Sequence, residues 1–469
     1  MRTRVTIVVA LAALLALGAG VAHAATSRLP SGRTSYRTYD DYVRELAAIA
    51  RDRPAIARGF TLAEKSVQGR SIRAVELASS VQSDYDGRPT FLVTGLTHAR
   101  EWSSGEVAME FARDLAARYG RDPRITRLLK RVRVVIVPVL NPDGFVVSRA
   151  APAGTRARAH RTNCALTGTD TAATPCADRA GVDINRNQAS GWGGAGADVA
   201  PGSEIYRGPR PWSEPESQGL HELMASRQVT GMISLHNYEG SVLRQPGYRA
   251  FGSLPDEKRQ AALGQAMANA AGYVSERADQ LYEATGGQED WSYAHQDSLA
   301  YTIEIGGTSF QGPYRTAVID QYLGTPRTAT AGHGLRDALL LAAEASAKPA
   351  GHGVIEGQAT AERILKVQRT FVTVTSPVCV ADLTLASGCP SPLAPMKIPD
   401  GVATWTRVPP GGHFHVAVSP STDPADERAG RSTAWTVKCQ APEGFPLGTT
   451  RTVTVRRGQV RVLKGVCTS

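Results

Sequence analysis

Thr90-Phe91-Leu92-Val93-Thr94-Gly95-Leu96-Thr97-His98-Ala99-Arg100-Glu101-Trp102 joins an apolar, β-rich run to an imidazole and a carboxylate three residues apart. The run reads as a buried strand, and the His-x-x-Glu spacing beyond it suits two protein ligands on one metal ion. Downstream, Thr230 to Leu235 is a second apolar run, followed at once by a histidine in Ile233-Ser234-Leu235-His236-Asn237-Tyr238. His98, Glu101 and His236 together form a two-histidine, one-carboxylate set, the kind that holds zinc with one position left for water. A third run, Ala300 to Ile305, carries the isolated carboxylate Glu304. A zinc-activated water needs such a group as its proton acceptor when it attacks an amide.

The surrounding pattern alternates. Ile72 to Ala78 and Val132 to Leu140 are further β-branched runs, while Ser103 to Tyr119, Ser213 to Arg227, Leu254 to Gln280 and Leu335 to Ala347 read as helices. Thr38 is expected to cap a helix that presents Tyr42, Leu46 and Ile49 on one face and stops at Pro54. Ser213-x-x-Glu216 reads as a capping box, and Val107, Phe111 and Leu115 repeat at helical spacing before Gly120. Strands separated by helices predict an α/β domain with a mixed, mostly parallel central sheet flanked by helices. His98, His236 and Glu304 then fall at or just beyond strand C-termini, where open α/β sheets place their active sites.

Texture changes after Lys348-Pro349-Ala350-Gly351-His352-Gly353. Short alternating runs such as Thr370 to Val374, His413 to Val418 and Thr452 to Val455, separated by turn residues, predict a C-terminal antiparallel β-sandwich over 353–469. His413 and His415 share a strand face with no third ligand nearby, which favours a surface role.

Arg2 and Arg4 precede the apolar run Val5 to Val21, which closes on Ala22-His23-Ala24. This reads as a secretory signal peptide over 1–24, cut after Ala24. An uncleaved anchor is the alternative, although the run is short for spanning a bilayer and contains several Gly and Ala. The expected division is therefore signal peptide 1–24, short polar leader 25–35, catalytic domain 36–347, linker 348–352 and β-sandwich 353–469. Six cysteines in a secreted chain suggest three disulfides. Proximity favours Cys164 with Cys176, Cys379 with Cys389 and Cys439 with Cys467, two of these in the β-sandwich. The formal net charge of +10 falls to +8 without residues 1–24, which hold two arginines and no acid. No dense basic block interleaved with aromatics is present, so a nucleic-acid partner is not expected, nor is a membrane partner after signal cleavage.

Further motifs extend the set in a fixed order: Asn141-Pro142-Asp143-Gly144-Phe145, Asp183-Ile184-Asn185-Arg186-Asn187, Tyr206-Arg207-Gly208-Pro209 with Ser213-Glu214-Pro215-Glu216, and Tyr282 through Trp291. With the ligand triplet and Glu304, they resemble the zinc metallocarboxypeptidases of the pancreatic carboxypeptidase A and B type over about residues 36 to 345. The resemblance implies one zinc ion on His98, Glu101 and His236, with Glu304 as general base and later proton donor, its pKa above that of a solvated Glu. It implies that Asn185 and Arg186 receive a peptide's terminal carboxylate, over which Tyr282 closes, and that Arg161 stabilises the oxyanion. Arg156 and Arg158 are rivals for that last role, because His160 stands where relatives have an aromatic and a cysteine-bearing insertion follows. Arg100 and Tyr238 are similar to residues lining the upstream peptide path, or else are surface groups, while Asp183 and Asn141 are read as loop braces. Seven residues after Tyr282, Glu289 occupies the position resembling the base of the specificity pocket. A carboxylate there implies preference for C-terminal Lys or Arg, unless it turns outward beside Asp290. Mammalian digestive relatives carry a long inhibitory segment, and none is expected in the short stretch before Thr38.

The implied function is a secreted, zinc-dependent carboxypeptidase acting on peptide or protein C-termini. The alternatives are a cell-wall muropeptide hydrolase with the same zinc site and an inactive secreted binding protein. Retention of all three ligands with Glu304 weighs against the last.

Overall fold

Residues 29–83, 86–324, 334–378, 394–424, 431–441 and 446–467 are described by the computed structural model. The expected signal peptide and the Cys379–Cys389 pairing lie outside them. Thr38 opens the first helix, α1 (Tyr39–Asp52): its hydroxyl accepts from the Asp41 N–H while the Asp41 carboxylate accepts from the Thr38 N–H, a closed capping box.

Eight strands then build one twisted sheet. They are β1 (Ala57–Lys65), β2 (Ser71–Leu77), β3 (Thr90–Thr94), β4 (Arg133–Val137), β5 (Val229–Tyr238), β6 (Ser241–Arg244), β7 (Val274–Arg277) and β8 (Leu299–Gly306), in the order β1-β2-β4-β3-β5-β8-β6-β7. The inner run β4-β3-β5-β8 is parallel throughout, and antiparallel pairs flank it. The helices that follow α1 are α2 (Trp102–Arg118), α3 (Pro123–Arg131), α4 (Pro142–Ala150), α5 (Pro215–Ala225), α6 (Glu257–Ala271), α7 (Ala278–Leu281), α8 (Gln288–Gln296), α9 (Asp320–Leu323) and α10 (Gly334–Ser346).

Because side chains alternate across a strand, the sheet sorts its residues into two cores. Phe91, Val93, Val134, Ile136, Ile233 and Leu235 pack against α1, α2, α3, α6 and α10 through Leu46, Phe111, Leu129, Met267 and Leu339. Leu92, Val135, Val137 and Met232 face the other way, onto Leu220 of α5 and Trp291 of α8. That second core continues without a break into the C-terminal strands through Val367, Phe371 and Val402.

Those strands are β9 (Gly353–Gln358), β10 (Ile364–Pro377), β11 (Pro395–Arg407), β12 (His413–Val418), β13 (Trp435–Gln440), β14 (Pro446–Val453) and β15 (Val460–Leu463). They form a four-stranded sheet, β11-β10-β13-β14, packed on a three-stranded one, β12-β9-β15. All pairs are antiparallel except β15 with β9. Disulfides join Cys164 to Cys176 and Cys439 to Cys467. No helix among the described residues is long and apolar enough to cross a membrane.

Two local expectations need correction. The helix expected over Leu254 to Gln280 ends at Ala271, because Gly272 takes a left-handed conformation with φ of 75° and caps it. The chain then pairs β7 with β6. Ser213 is not the cap of α5 either: Pro215 fixes the first helical position and Glu214 precedes it. The Ser213 hydroxyl instead donates to Glu214 and accepts from Asn187 Nδ2.

Candidate active site

The turn from β3 into α2 is packed too tightly for ordinary side chains. A Cβ on Gly95 would lie 2.8 Å from the Ser104 carbonyl oxygen and 3.0 Å from that of Pro138. Ser104 closes the turn by accepting from the Leu96 N–H at 2.8 Å and donating to the Glu101 carbonyl at 2.6 Å. Glu101 stands at the N-cap of α2 without capping it, since its side chain turns toward two imidazoles.

Those imidazoles come from His98, four residues past β3, and His236, near the end of β5. Glu101 Oε1 lies 2.8 Å from His98 Nδ1, Glu101 Oε2 lies 2.9 Å from His236 Nδ1, and the two Nδ1 atoms are 3.0 Å apart. Four-coordinate zinc with bonds of about 2.0–2.1 Å separates its ligand atoms by about 3.4 Å, so the triplet is of the right size to within about half an ångström. The outer nitrogens are held as ligating histidines require. His98 Nε2 donates to Asp183 Oδ1 at 3.2 Å, and His236 Nε2 lies 2.9 Å from Ser234 Oγ, itself bonded by Gln288. All three side chains are buried. Burial works against charge on His236, yet the Glu101 carboxylate raises its pKa to about 9. Burial also pushes Glu101 up, but His98 and His236 hold it well below the usual carboxylate range. Two ring nitrogens and a carboxylate that share a positive charge this closely match the donor set of a divalent metal.

Glu304 pairs in parallel register with His236 across β5 and β8. Burial dominates its environment. His236 pulls its carboxyl down and Glu101 pushes it up, and the net result is a pKa raised to about 8. Arg161 is the arginine that reaches the triplet: it grips Asp183 Oδ2 through Nε (3.1 Å) and Nη2 (2.8 Å), with Nη1 3.8 Å from Glu101. The rivals sit elsewhere. Arg158 stacks over the Trp102 ring, and Arg156 is exposed.

One pocket joins His98 and His236 to Asn185, Arg186, Tyr282, Glu304, Glu289, Asp290 and Thr302. Arg186 is buried, with Nε on the Gly196 carbonyl (2.7 Å) and Nη1 on that of Asn185 (2.9 Å). Glu289 turns inward, is 2% exposed and accepts from Thr302 Oγ1 at 2.9 Å. Asp290 beside it accepts from the Gly247 and Gly287 N–H groups, and burial, then Glu289, push its pKa up to about 8. A Cβ on Gly247 would lie 2.9 Å from Asp290 Oδ1. Tyr282 is half exposed at the mouth.

Arg100 and Tyr238 lie apart from this pocket, grouped around Phe310. The Arg100 guanidinium is 4.2 Å from the Phe310 ring centroid and is held by both oxygens of Glu204, and Tyr238 meets the same ring edge-on. Asn141 braces its loop through the Thr162 carbonyl. Asp183 is more than a brace, because it links a candidate ligand to Arg161. His413 and His415 are exposed on β12. Gln288 and Phe310 carried no functional signal in the sequence, because their partners are distant in the chain, whereas Ser234 lies only two residues from His236, on the same face of β5.

Fold and donor set together define an α/β metallohydrolase architecture with a candidate zinc centre at the carboxyl edge of its sheet. The chain belongs to the zinc carboxypeptidase family, peptidase M14, whose profile matches residues 42–321. It is 28% identical over 288 residues to rat carboxypeptidase A2, a match covering 59% of this chain and 64% of that one. Rat carboxypeptidase B is 26% identical over 289 residues, covering 60% and 65%. The chain thus spans somewhat less than two thirds of the length of these curated relatives. Among solved structures, thrombin activatable fibrinolysis inhibitor superposes with a TM-score of 0.55 at 23% identity, covering 67% of this chain and 74% of that one. Carboxypeptidase A from Helicoverpa armigera gives 0.55 at 22% identity with the same coverage, and these likenesses concern the fold.

Proposed function

We propose that this protein is a secreted zinc carboxypeptidase that removes single residues from peptide C-termini, with preference for Lys and Arg. The observation that carries the reading is one pocket in which buried Arg186 and the paired acids Glu289 and Asp290 adjoin the His98–Glu101–His236 triplet and Glu304.

Zinc held by His98, Glu101 and His236 would polarise the scissile carbonyl and acidify water. Arg186, with two nitrogens already fixed by carbonyls, presents its remaining edge to the terminal carboxylate, assisted by Asn185. Tyr282 closes the mouth over that carboxylate. The oxyanion is stabilised by Arg161, which Asp183 orients. Glu304 takes the water proton and returns it to the leaving amine, a shuttle for which a carboxyl raised by burial to about 8 is a stronger base than a solvated Glu. The nearby zinc charge would lower that pKa.

In that pocket a substrate ammonium or guanidinium compensates the Glu289 carboxylate, which is costly to bury alone, and favours ionisation of Asp290 beside it. Signal peptide 1–24, leader 25–35, catalytic unit 36–347, linker 348–352 and β-sandwich 353–469 form the proposed organisation. The two disulfides accord with an oxidising compartment.

The test is digestion of a peptide library read by mass spectrometry, with and without a chelator. Sequential loss of C-terminal Lys and Arg, abolished by chelation and restored by zinc, is the expected result. Internal cleavage, or activity indifferent to chelation, would overturn the reading.

A further inference from the structure

The family match ends at residue 321 and assigns nothing to the seven C-terminal strands. Their contacts converge on helix α8. All nine of its residues are buried, and its first turn supplies Glu289 and Asp290 to the pocket lining. The rest of the helix is held from the C-terminal side. Trp291 Nε1 donates to Asp400 Oδ2 of β11 at 2.9 Å, and Thr373 Oγ1 of β10 donates to the same oxygen at 2.7 Å. The His295 ring stacks on Phe371 of β10 with centroids 4.5 Å apart, and Arg369 donates to the His295 carbonyl. Asp297, which caps the helix in a left-handed conformation, is clasped by Arg457 through Nε (2.7 Å) and Nη2.

The far end of β10 pairs with the loop that follows Arg186. The Gly191 N–H donates to the Val374 carbonyl at 3.2 Å and the Ser376 N–H to the Trp192 carbonyl at 3.1 Å, so that the loop 188–197 continues the β10 ladder. This loop also holds Arg186, whose Nε donates to Gly196. Its first residue donates to the Gly286 carbonyl just before α8.

We infer that the C-terminal β-sandwich is a positioning element of the substrate pocket: acting through α8 and the loop 188–197, it fixes the relative placement of Glu289 and Arg186. Asp400, Thr373 and Arg457 are positioning residues that touch no substrate. The inference rests on the proposed carboxypeptidase reading for its kinetic arm. Its physical basis is that charged recognition groups work only when their supports hold them to within about half an ångström, and a displacement of about 1 Å costs about a hundredfold.

The test uses the full-length, zinc-loaded protein and the variants Thr373→Val, Arg457→Ala and Arg457→Lys. For peptides ending in Arg, Thr373→Val and Arg457→Ala should raise KM about 5- to 30-fold with kcat within about twofold, and lower the preference for Arg over Phe. Arg457→Lys, which keeps the charge with one hydrogen bond, should fall between. Zinc content should stay at the wild-type value in all three. Independently of activity, amide hydrogen exchange over residues 286–297 should accelerate in Arg457→Ala, with α2 unchanged. Folded variants with wild-type KM, wild-type preference and unaltered exchange, differing in Tm alone, would overturn the inference and leave the sandwich a stabilising role. Wild-type protein that cuts no peptide would overturn the carboxypeptidase reading, and the exchange result would then decide this one alone.

Discussion

Asp183 Oδ1 accepts from His98 Nε2 at 3.2 Å while Oδ2 accepts from Arg161 Nη2 at 2.8 Å, so one buried carboxylate orients a candidate ligand and a candidate anion-stabilising cation together. Burial pushes its pKa up, but Arg161 and His98 more than compensate and keep it ionised. Asp183→Asn preserves shape and removes that charge. It should weaken zinc affinity about 10- to 100-fold, measured by competition with a chelator of known affinity. Unchanged affinity would remove Asp183 from the support of the triplet.

Glu304→Gln should keep its zinc and its fold, because Glu304 is not one of the three converging ligands. It should lose about 10²- to 10⁴-fold in kcat, since the proton carrier is gone. Retention of more than about a tenth of wild-type turnover would place the base elsewhere.

Glu289 faces the pocket and takes a hydrogen bond from Thr302. Replacing it with Ile removes a buried carboxylate that a substrate cation would satisfy. The ratio of kcat/KM for matched peptides ending in Arg and Phe should fall about thirtyfold or more. An unchanged ratio would take Glu289 out of side-chain selection.

Asp290 gives a pH dependence. Burial and then Glu289 raise its pKa to about 8 in the free protein, so at pH 7 the group carries a proton. A cation in the pocket favours the ionised form and lowers that pKa, so binding should release a proton. Calorimetry at pH 7 with the product arginine, in buffers of different ionisation enthalpy, should show net proton release that Asp290→Asn abolishes. KM for Arg-terminated peptides should fall as pH rises from about 6 toward 9, through the raised pKa. Proton uptake on binding would reverse the assignment.

Much of this architecture was legible in the chain. Continuous β-branched apolar runs located β2, β3, β4, β5 and β8, and the candidate ligands stand at or just beyond the ends of such runs, a position set by local chemistry. Short edge strands such as β6 and β7 carry little periodic signal, and Gly272 stopped a helix that the apolar spacing alone would have extended. Choosing Arg161 over Arg158 required knowing that Asp183 and Trp102 compete for them. The same holds for the hold on α8. Trp291 and Asp400 are 109 residues apart, and Asp297 and Arg457 are 160 apart, pairings that only the folded sheet faces specify.

The central claim is exopeptidase recognition of a free carboxylate beside a zinc site. Its most direct measurement is kcat/KM for one Arg-terminated peptide as the free acid and as the C-terminal amide. An amide leaves buried Arg186 without its charged partner, at a cost of about 2–5 kcal/mol, so the acid should be hydrolysed roughly 30-fold to several thousandfold faster. Equal rates for the two forms would contradict the account.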